Sequence, residues 1–294
     1  MGRGLKVLKF GGSSLATAGD VRRVVSIISD TVPEDKGIIV VSALKGVTND
    51  LISLADGSGK PGQAGYLKAI RDRHLRIASG LLSSSLFESY RETVDGLCAR
   101  LWRRIGTGLT GDAASRDEIL AVGERLSAPL LATCIAQYRR AATSHDAANF
   151  IRTDSSFGAA RINWRSTRKL VTDWYANSSG IRVVTGFVGS DRHGRTTTLG
   201  RGGSDYSAAV LASVLKADVF ERWTDVDGIY TNDPDVDPLA ERIETIQLKT
   251  ARDWNRAGRM GMHRKALDPL AKVSVPVHVR STFDPKREGT WIIP

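Results

Sequence analysis

The sequence predicts an α/β protein built on a mainly parallel sheet, and three observations carry that expectation. Short apolar runs of β character alternate along the chain with segments whose apolar residues recur at helical spacing. Glycine-bearing turns stand where several of these runs end and a helix-like segment begins. The length of 294 residues, with 41% apolar and 25% charged residues, suits a packed body of two lobes and excludes a disordered, collagenous or coiled-coil chain.

Residues 5–10 read as a short buried strand, followed by a Gly-Gly-Ser-Ser turn. Behind Asp20, the spacing of Val21, Val24, Val25 and Ile28 predicts a helix. A second strand, 38–43, stops at Leu44-Lys-Gly, and 47–55 is the next helix. Segments 66–82 and 86–104 form a helical pair, an added layer on one lobe. Ser115-Arg-Asp-Glu118 has the pattern of a capping box and opens a helix running to about Tyr138, with Glu124 well inside it. Strands at 147–151 and 181–188 flank a helix near 167–175. The glycine-dense stretch 196–205 leads into an alanine-rich helix, 206–215. A strand ending near Trp223, an aspartate-rich loop, a helix near 248–258 and a strand at 275–279 complete the series. The glycines of 200–204 suit a hinge, which divides one domain, 1–294, into lobes 1–203 and 204–294.

The net charge of +10 raises the question of nucleic acid. Between residues 60 and 104 nine Lys or Arg face four Asp or Glu, yet aromatic residues are sparse there. No zinc-finger, helix-turn-helix or RNA-recognition signature accompanies them. A solvated basic face that favours anionic metabolites is the preferred reading, with no nucleic-acid partner. The longest nearly unbroken apolar runs, 38–43 and 128–136, fall short of the ~18 residues of a membrane span. The start runs directly into a strand, leaving no room for a signal peptide. Cys98 and Cys134 lack metal spacing and read as core fillers in a reducing, cytoplasmic setting. The five histidines show no paired spacing, and the run Asp225, Asp227, Asp233, Asp235 and Asp237 lacks an EF-hand pattern, so no metal site is expected in the chain.

Chemistry is expected at three turns: Lys9-Phe-Gly-Gly-Ser-Ser14, Ser42-Ala-Leu-Lys-Gly-Val-Thr-Asn49 and Gly200-Arg-Gly-Gly-Ser-Asp205. Ligands of open parallel sheets bind beyond the carboxyl ends of strands, where helix N-termini present free N–H groups to anions. Together the turns suggest a polyphosphate site. None fits the Gly-x4-Gly-Lys-Ser/Thr loop or the Gly-x-Gly-x-x-Gly fingerprint.

These turns, with Gly123-Glu-Arg-Leu-Ser127, Thr185-Gly-Phe-Val-Gly-Ser190, Thr196-Thr-Thr-Leu-Gly-Arg-Gly-Gly-Ser-Asp205 and Thr224-Asp-Val-Asp-Gly-Ile-Tyr-Thr-Asn-Asp-Pro234, occur in an order that resembles the catalytic domain of aspartate kinases, within the amino acid kinase family. The resemblance runs through Pro276-Val-His-Val-Arg-Ser-Thr-Phe to the closing Gly289-Thr. It implies a three-layer sandwich around an eight-stranded, mainly parallel sheet, with the amino acid in the N-terminal lobe and ATP in the C-terminal lobe. The implied reaction is transfer of the γ-phosphoryl group of ATP, with Mg2+, to the side-chain carboxylate of L-aspartate. The implied partners are these small molecules and further copies of the chain, a homo-oligomer such as a dimer.

Carried over residue by residue, Arg201 is the fork for a substrate carboxylate. Glu124 would receive the substrate ammonium, against the alternative of an ion pair with Arg125 or another base. Thr48 and Ser204 supply hydroxyls to the amino acid, and Phe187 lies beside it. Lys9 faces the transferring phosphoryl group, and Asp205 holds its ammonium. Gly11, Gly12 and Ser13 line the phosphate turn, while Thr224, Asp225 and Tyr230 surround the nucleotide. Two positions depart from the family: Asp235 stands where Arg is usual and Met260 where a phosphate-binding Lys is usual. Arg259, Arg264 and Lys265 are the neighbouring cations available to compensate. The departures keep a second class open, a kinase-like amino-acid-binding regulatory subunit. Family members usually continue into ACT domains; their absence from this sequence carries the expectation of no feedback control in cis.

Overall fold

The computed structural model describes residues 4–33, 36–57, 62–106, 112–138, 141–232 and 236–294. Asp235, one of the two departures, therefore lies outside the described residues. The first half of the chain holds β1 (Lys6–Phe10), α1 (Ala18–Thr31), β2 (Gly37–Val41), α2 (Val47–Asp56), α3 (Gln63–Ser79), α4 (Ser84–Gly106), α5 (Ala113–Leu120) and α6 (Val122–Gln137). The crossover to the second half is β3 (Ala142–His145), α7 (Trp164–Ala176), β4 (Ile181–Thr185), β5 (Val188–Ser190) and β6 (Thr196–Thr198). The rest is α8 (Gly203–Leu215), β7 (Val219–Thr224), β8 (Ile229–Tyr230), β9 (Arg242–Ile243), β10 (Thr245–Gln247), α9 (Leu248–Arg256), α10 (Leu267–Ala271), β11 (Val277–Ser281) and β12 (Thr290–Ile293).

Eight strands form one sheet in the order β10-β12-β11-β7-β1-β2-β4-β3. Every neighbouring pair is parallel except β11 with β12. Successive side chains of a strand point to opposite faces, so each strand feeds two cores. Leu8 and Phe10 of β1, with Ile39 and Val41 of β2, pack against α1 to α6. Val7, Ile38 and Val40 pack against α8, α9 and α10 on the other face. The result is the expected three-layer α/β sandwich. Alternation also puts Lys9 on the face of Val7, toward α8, at the carboxyl end of its strand.

Several expectations shift when packing is visible. The helix read from Ser115 to Tyr138 is α5 and α6, joined at Ala121. Its cap is Asp112, whose carboxylate accepts the Ser115 N–H, so Ser115 lies buried inside the first turn. The strand expected at 147–151 is a 3-10 turn, because Asp146 accepts the Ala148 N–H and Thr185 accepts that of Ala147. The strand lies just before it, at the sheet edge, where half-exposed Ala-Thr-Ser-His carries no apolar signature. The run 181–188 breaks at Phe187, whose φ of +67° turns the chain into the β5–β6 hairpin. The last expected strand moves to 277–281, and the short strands β8, β9, β10 and β12 were not read at all.

Residues Ala113–Gln137 are together long and apolar enough to cross a membrane, contrary to the run-length reading, but 78% of their most apolar window is buried inside the protein, as in a core helix. Much of the basic helical layer is neutralised locally: Arg71 pairs with Asp95, Lys68 with Asp72, Arg91 with Glu88 and Arg104 with Glu118. Both cysteines are free and buried, and burial pushes their thiols up to about 11 for Cys98 and about 12 for Cys134.

Candidate active site

Lys9 and Asp205 meet across the gap between β1 and the first turn of α8. The Lys9 ammonium is 2.8 Å from Asp205 Oδ1. Register places Arg222 of β7 beside Lys9 on the same face, and its Nε lies 3.6 Å from Asp205 Oδ2. All three residues are buried. Burial opposes ionisation of Asp205, but Lys9 and Arg222 overcome it and hold the carboxyl below its ordinary value. The Gly11 backbone passes close to the ammonium: a Cβ there would stand 3.5 Å from Lys9 Nζ and 3.8 Å from Ser13 Oγ. Gly12 presses on the loop after β2, where a Cβ would meet the Ala43 carbonyl oxygen at 2.8 Å. Any side chain at Gly12 would push these two loops apart.

On the helical side, Glu124 of α6 is 4% exposed. Burial raises its carboxyl to about 8, against a hydrogen bond from the Ala43 backbone and the nearby Lys9 charge. Arg125 does not pair with it; that guanidinium binds Asp146 at 2.7 Å. No base lies within ion-pair distance of Glu124 among the described residues. Gly123 lets α6 approach this loop, since a Cβ there would stand 2.6 Å from Ala43 Cβ. Thr48 is exposed in the first turn of α2, behind Gly46 at φ +85°. Arg73 of α3 pins that turn by donating to the Lys45 carbonyl at 2.7 Å.

Arg201 projects from the turn before α8, exposed between two glycines in the left-handed region, Gly200 at +84° and Gly202 at +75°. Ser204 is buried against Gly186, where a Cβ would stand 2.5 Å from that of Ser204. Phe187 is half-buried, and its left-handed backbone is held by donation to Ser207 Oγ at 3.0 Å and by the Leu199 N–H at 2.9 Å. His263 stacks on Tyr206 with centroids 4.8 Å apart, a packing role beside the α8 terminus.

A cavity of about 560 Å³ opens beyond the ends of β7 and β8. It brings together Thr224, Asp225 and Tyr230 with Arg222, Arg259 and Met260. Thr224 donates to Asp225 at 2.9 Å, and Tyr230 donates its hydroxyl to Asp227 at 2.7 Å. Arg264 and Lys265 are exposed and do not line it. Among the described residues no cluster of three or more His, Cys, Asp or Glu is arranged to hold a metal.

Sequence reasoning missed Arg222. The signal was Glu221-Arg222, two adjacent charges inside a buried strand, between Val219-Phe220 and Trp223. It also missed Asp117 of α5, fully buried, which accepts from Thr198 N–H at 2.7 Å, Thr198 Oγ1 at 2.8 Å and Gly158 N–H at 2.9 Å, tying the β5–β6 hairpin to the helix.

The model of the amino acid kinase family matches residues 4–281. The chain belongs to the amino acid kinase family. Within that family it is similar to Lysine-sensitive aspartokinase 3 of Escherichia coli, at 34% identity over 290 residues, 97% of this chain and 63% of that protein. It is also similar to the aspartokinase of Chlamydia trachomatis, at 32% identity over 97% of this chain and 64% of that protein. The solved structure of E. coli aspartokinase III in complex with aspartate and ADP aligns with a TM-score of 0.90 and 33% identity, over 98% of this chain and 64% of that one. This amino acid kinase thus spans a little under two thirds of the length of those relatives.

Proposed function

We propose that this amino acid kinase phosphorylates the side-chain carboxylate of L-aspartate at the expense of ATP. The observation that carries the proposal is the buried Lys9–Asp205 pair, with Glu124 close enough to feel the Lys9 charge and Arg222, the β7 neighbour of Lys9, lining the cavity of Thr224 and Tyr230. An oxygen of the substrate side-chain carboxylate forms a bond to the γ-phosphorus while the bond to the β–γ bridging oxygen breaks. ADP leaves with that electron pair, and the products are 4-phospho-L-aspartate and ADP. A carboxylate is ionised at neutral pH, so no general base is required. Catalysis reduces to positioning and charge neutralisation: Lys9 faces the transferring group, Asp205 fixes Lys9, and Gly11, Gly12 and Ser13 bring backbone donors close. Arg201 and Glu124 orient the amino acid by its carboxylate and ammonium, with Thr48, Ser204 and Phe187 completing the pocket. Mg2+, supplied with the nucleotide rather than held by a cluster of the described residues, would neutralise charge on the phosphates. In this reading residues 1–203 are the amino-acid lobe and 204–294 the nucleotide lobe, whose first residue, Ser204, reaches the amino acid from the start of α8.

Acyl phosphate trapped as hydroxamate from ATP, Mg2+, L-aspartate and hydroxylamine is the expected outcome. No hydroxamate with any amino acid or nucleoside triphosphate would overturn the proposal. The second reading, a kinase-like subunit that binds the amino acid without transfer, is favoured by one observation, the uncharged Met260 in the nucleotide cavity. Calorimetry separates the two, since that subunit binds aspartate but little or no ATP.

A further inference from the structure

The nucleotide cavity presents Met260 where a charge would serve a phosphate, and the structure points to where the charge has gone. We propose that Arg222, rising from the floor of the sheet, binds the terminal phosphates of the nucleoside triphosphate in place of a cation at position 260. The proposal deepens the function proposed above and rests on it for the identity of the ligand.

Two cations line the cavity among the described residues, Arg222 and Arg259. Arg259 is engaged elsewhere: its guanidinium lies over the Trp254 ring, 4.3 Å from the centroid, and donates to the Thr231 carbonyl at 2.9 Å. Arg222 is placed differently. One nitrogen, Nη2, donates to the Gly261 carbonyl at 3.1 Å, beside Met260, and Nε faces Asp205 at 3.6 Å without making a hydrogen bond. A guanidinium carries five N–H donors, so this buried group retains unused donors at the inner end of the cavity. The charge balance points the same way. Lys9 and Arg222 share one carboxylate, Asp205, which leaves the buried cluster with an excess positive charge that water solvates poorly. A phosphate oxygen at the junction of the cavity with Lys9 supplies the missing negative charge and accepts the idle donors.

The test uses Arg222→Met, which keeps most of the volume, Arg222→Lys, which keeps the charge, and Arg222→Met combined with Met260→Lys. Calorimetry with MgATP and with adenosine reads the phosphate and base contributions apart. For Arg222→Met, MgATP affinity is expected to fall by about tenfold or more, the scale of one lost charge-assisted contact. Adenosine affinity should change by less than about twofold. Arg222→Lys is expected to lie between, and the double variant to recover most of the loss. Equal MgATP affinity in wild type and Arg222→Met overturns the inference. So does a parallel loss of both ligands in Arg222→Met and Arg222→Lys, or a double variant no better than the single one. Wild-type protein that binds MgATP with this dependence yet forms no acyl phosphate would sink the aspartate reaction while leaving the role of Arg222 intact. Wild-type protein that binds no nucleotide removes both.

Discussion

Glu124 is held in a place that discourages its charge, and under the proposed function that makes it responsive to the substrate ammonium. Its carboxyl is raised to about 8 chiefly by burial, so near neutral pH a large share of it carries a proton. An arriving ammonium favours the ionised form and repays the desolvation. The KM for aspartate is therefore expected to fall as pH rises from about 7 to about 8.5, and Glu124→Gln should raise that KM at least about tenfold and flatten its pH profile. Initial rates across this range check it; an unchanged profile in Glu124→Gln would show that the ammonium is held elsewhere. Stability moves the opposite way. The native state keeps a proton that the unfolded chain releases near 4.5, so stability declines between 4.5 and about 8. At this scale the sequence was readable wherever a residue sits in a distinctive motif, as Lys9, Arg201 and Asp205 do. For Arg222 it offered only a pair of adjacent charges in a strand, whose meaning waits on register, and for Asp117 nothing, since its role depends on a hydrogen bond to a hairpin 81 positions away.

The turn after β4 packs directly on the first turn of α8, which carries Ser204 of the proposed amino-acid pocket. Gly186 permits the first turn of α8 to lie against it, and a Cβ there would also meet Ser204 Cα at 2.9 Å. Gly186→Ala is expected to cost about 1–3 kcal/mol of stability through overpacking and to raise the aspartate KM, because Ser204 and Phe187 must shift. Denaturant unfolding together with kinetics tests this; wild-type values in both would show that the contact relaxes without consequence. Periodic helices and fully buried strands were legible because a 3.6- or 2-residue pattern repeats within each. The edge strand β3, the short β8 to β10 and the hairpin were not, since their residues answer to neighbours distant in sequence rather than to a local period.

Across the whole molecule, the parallel order β11-β7-β1-β2-β4 gathers the carboxyl ends of strands from both halves of the chain on one edge. The turns after β1 and β2 and before α8 become neighbours there, although nearly 200 residues separate the first from the last. A buried hydrogen bond of 2.7 Å between Ser14 and Thr282 ties the first turn to the end of β11. The alternation of apolar runs announced this class of fold, and the resemblance supplied its layers. Of the cavity wall, the resemblance marked Thr224, Asp225, Tyr230 and the departure at Met260, while the part played by Arg222 emerged only with the fold, because it depends on the register of β7 against β1. Under the proposed function one site, built around Lys9 and faced by Arg201, transfers phosphoryl groups to an amino-acid carboxylate. That transfer is tested most directly by the rate of hydroxamate formation from ATP and L-aspartate in wild type, Lys9→Ala and Arg201→Ala, each confirmed folded by its thermal transition. The expected result is a wild-type rate that falls at least about 100-fold in Lys9→Ala and collapses at subsaturating aspartate in Arg201→Ala, while a rate undiminished in either variant would contradict the account.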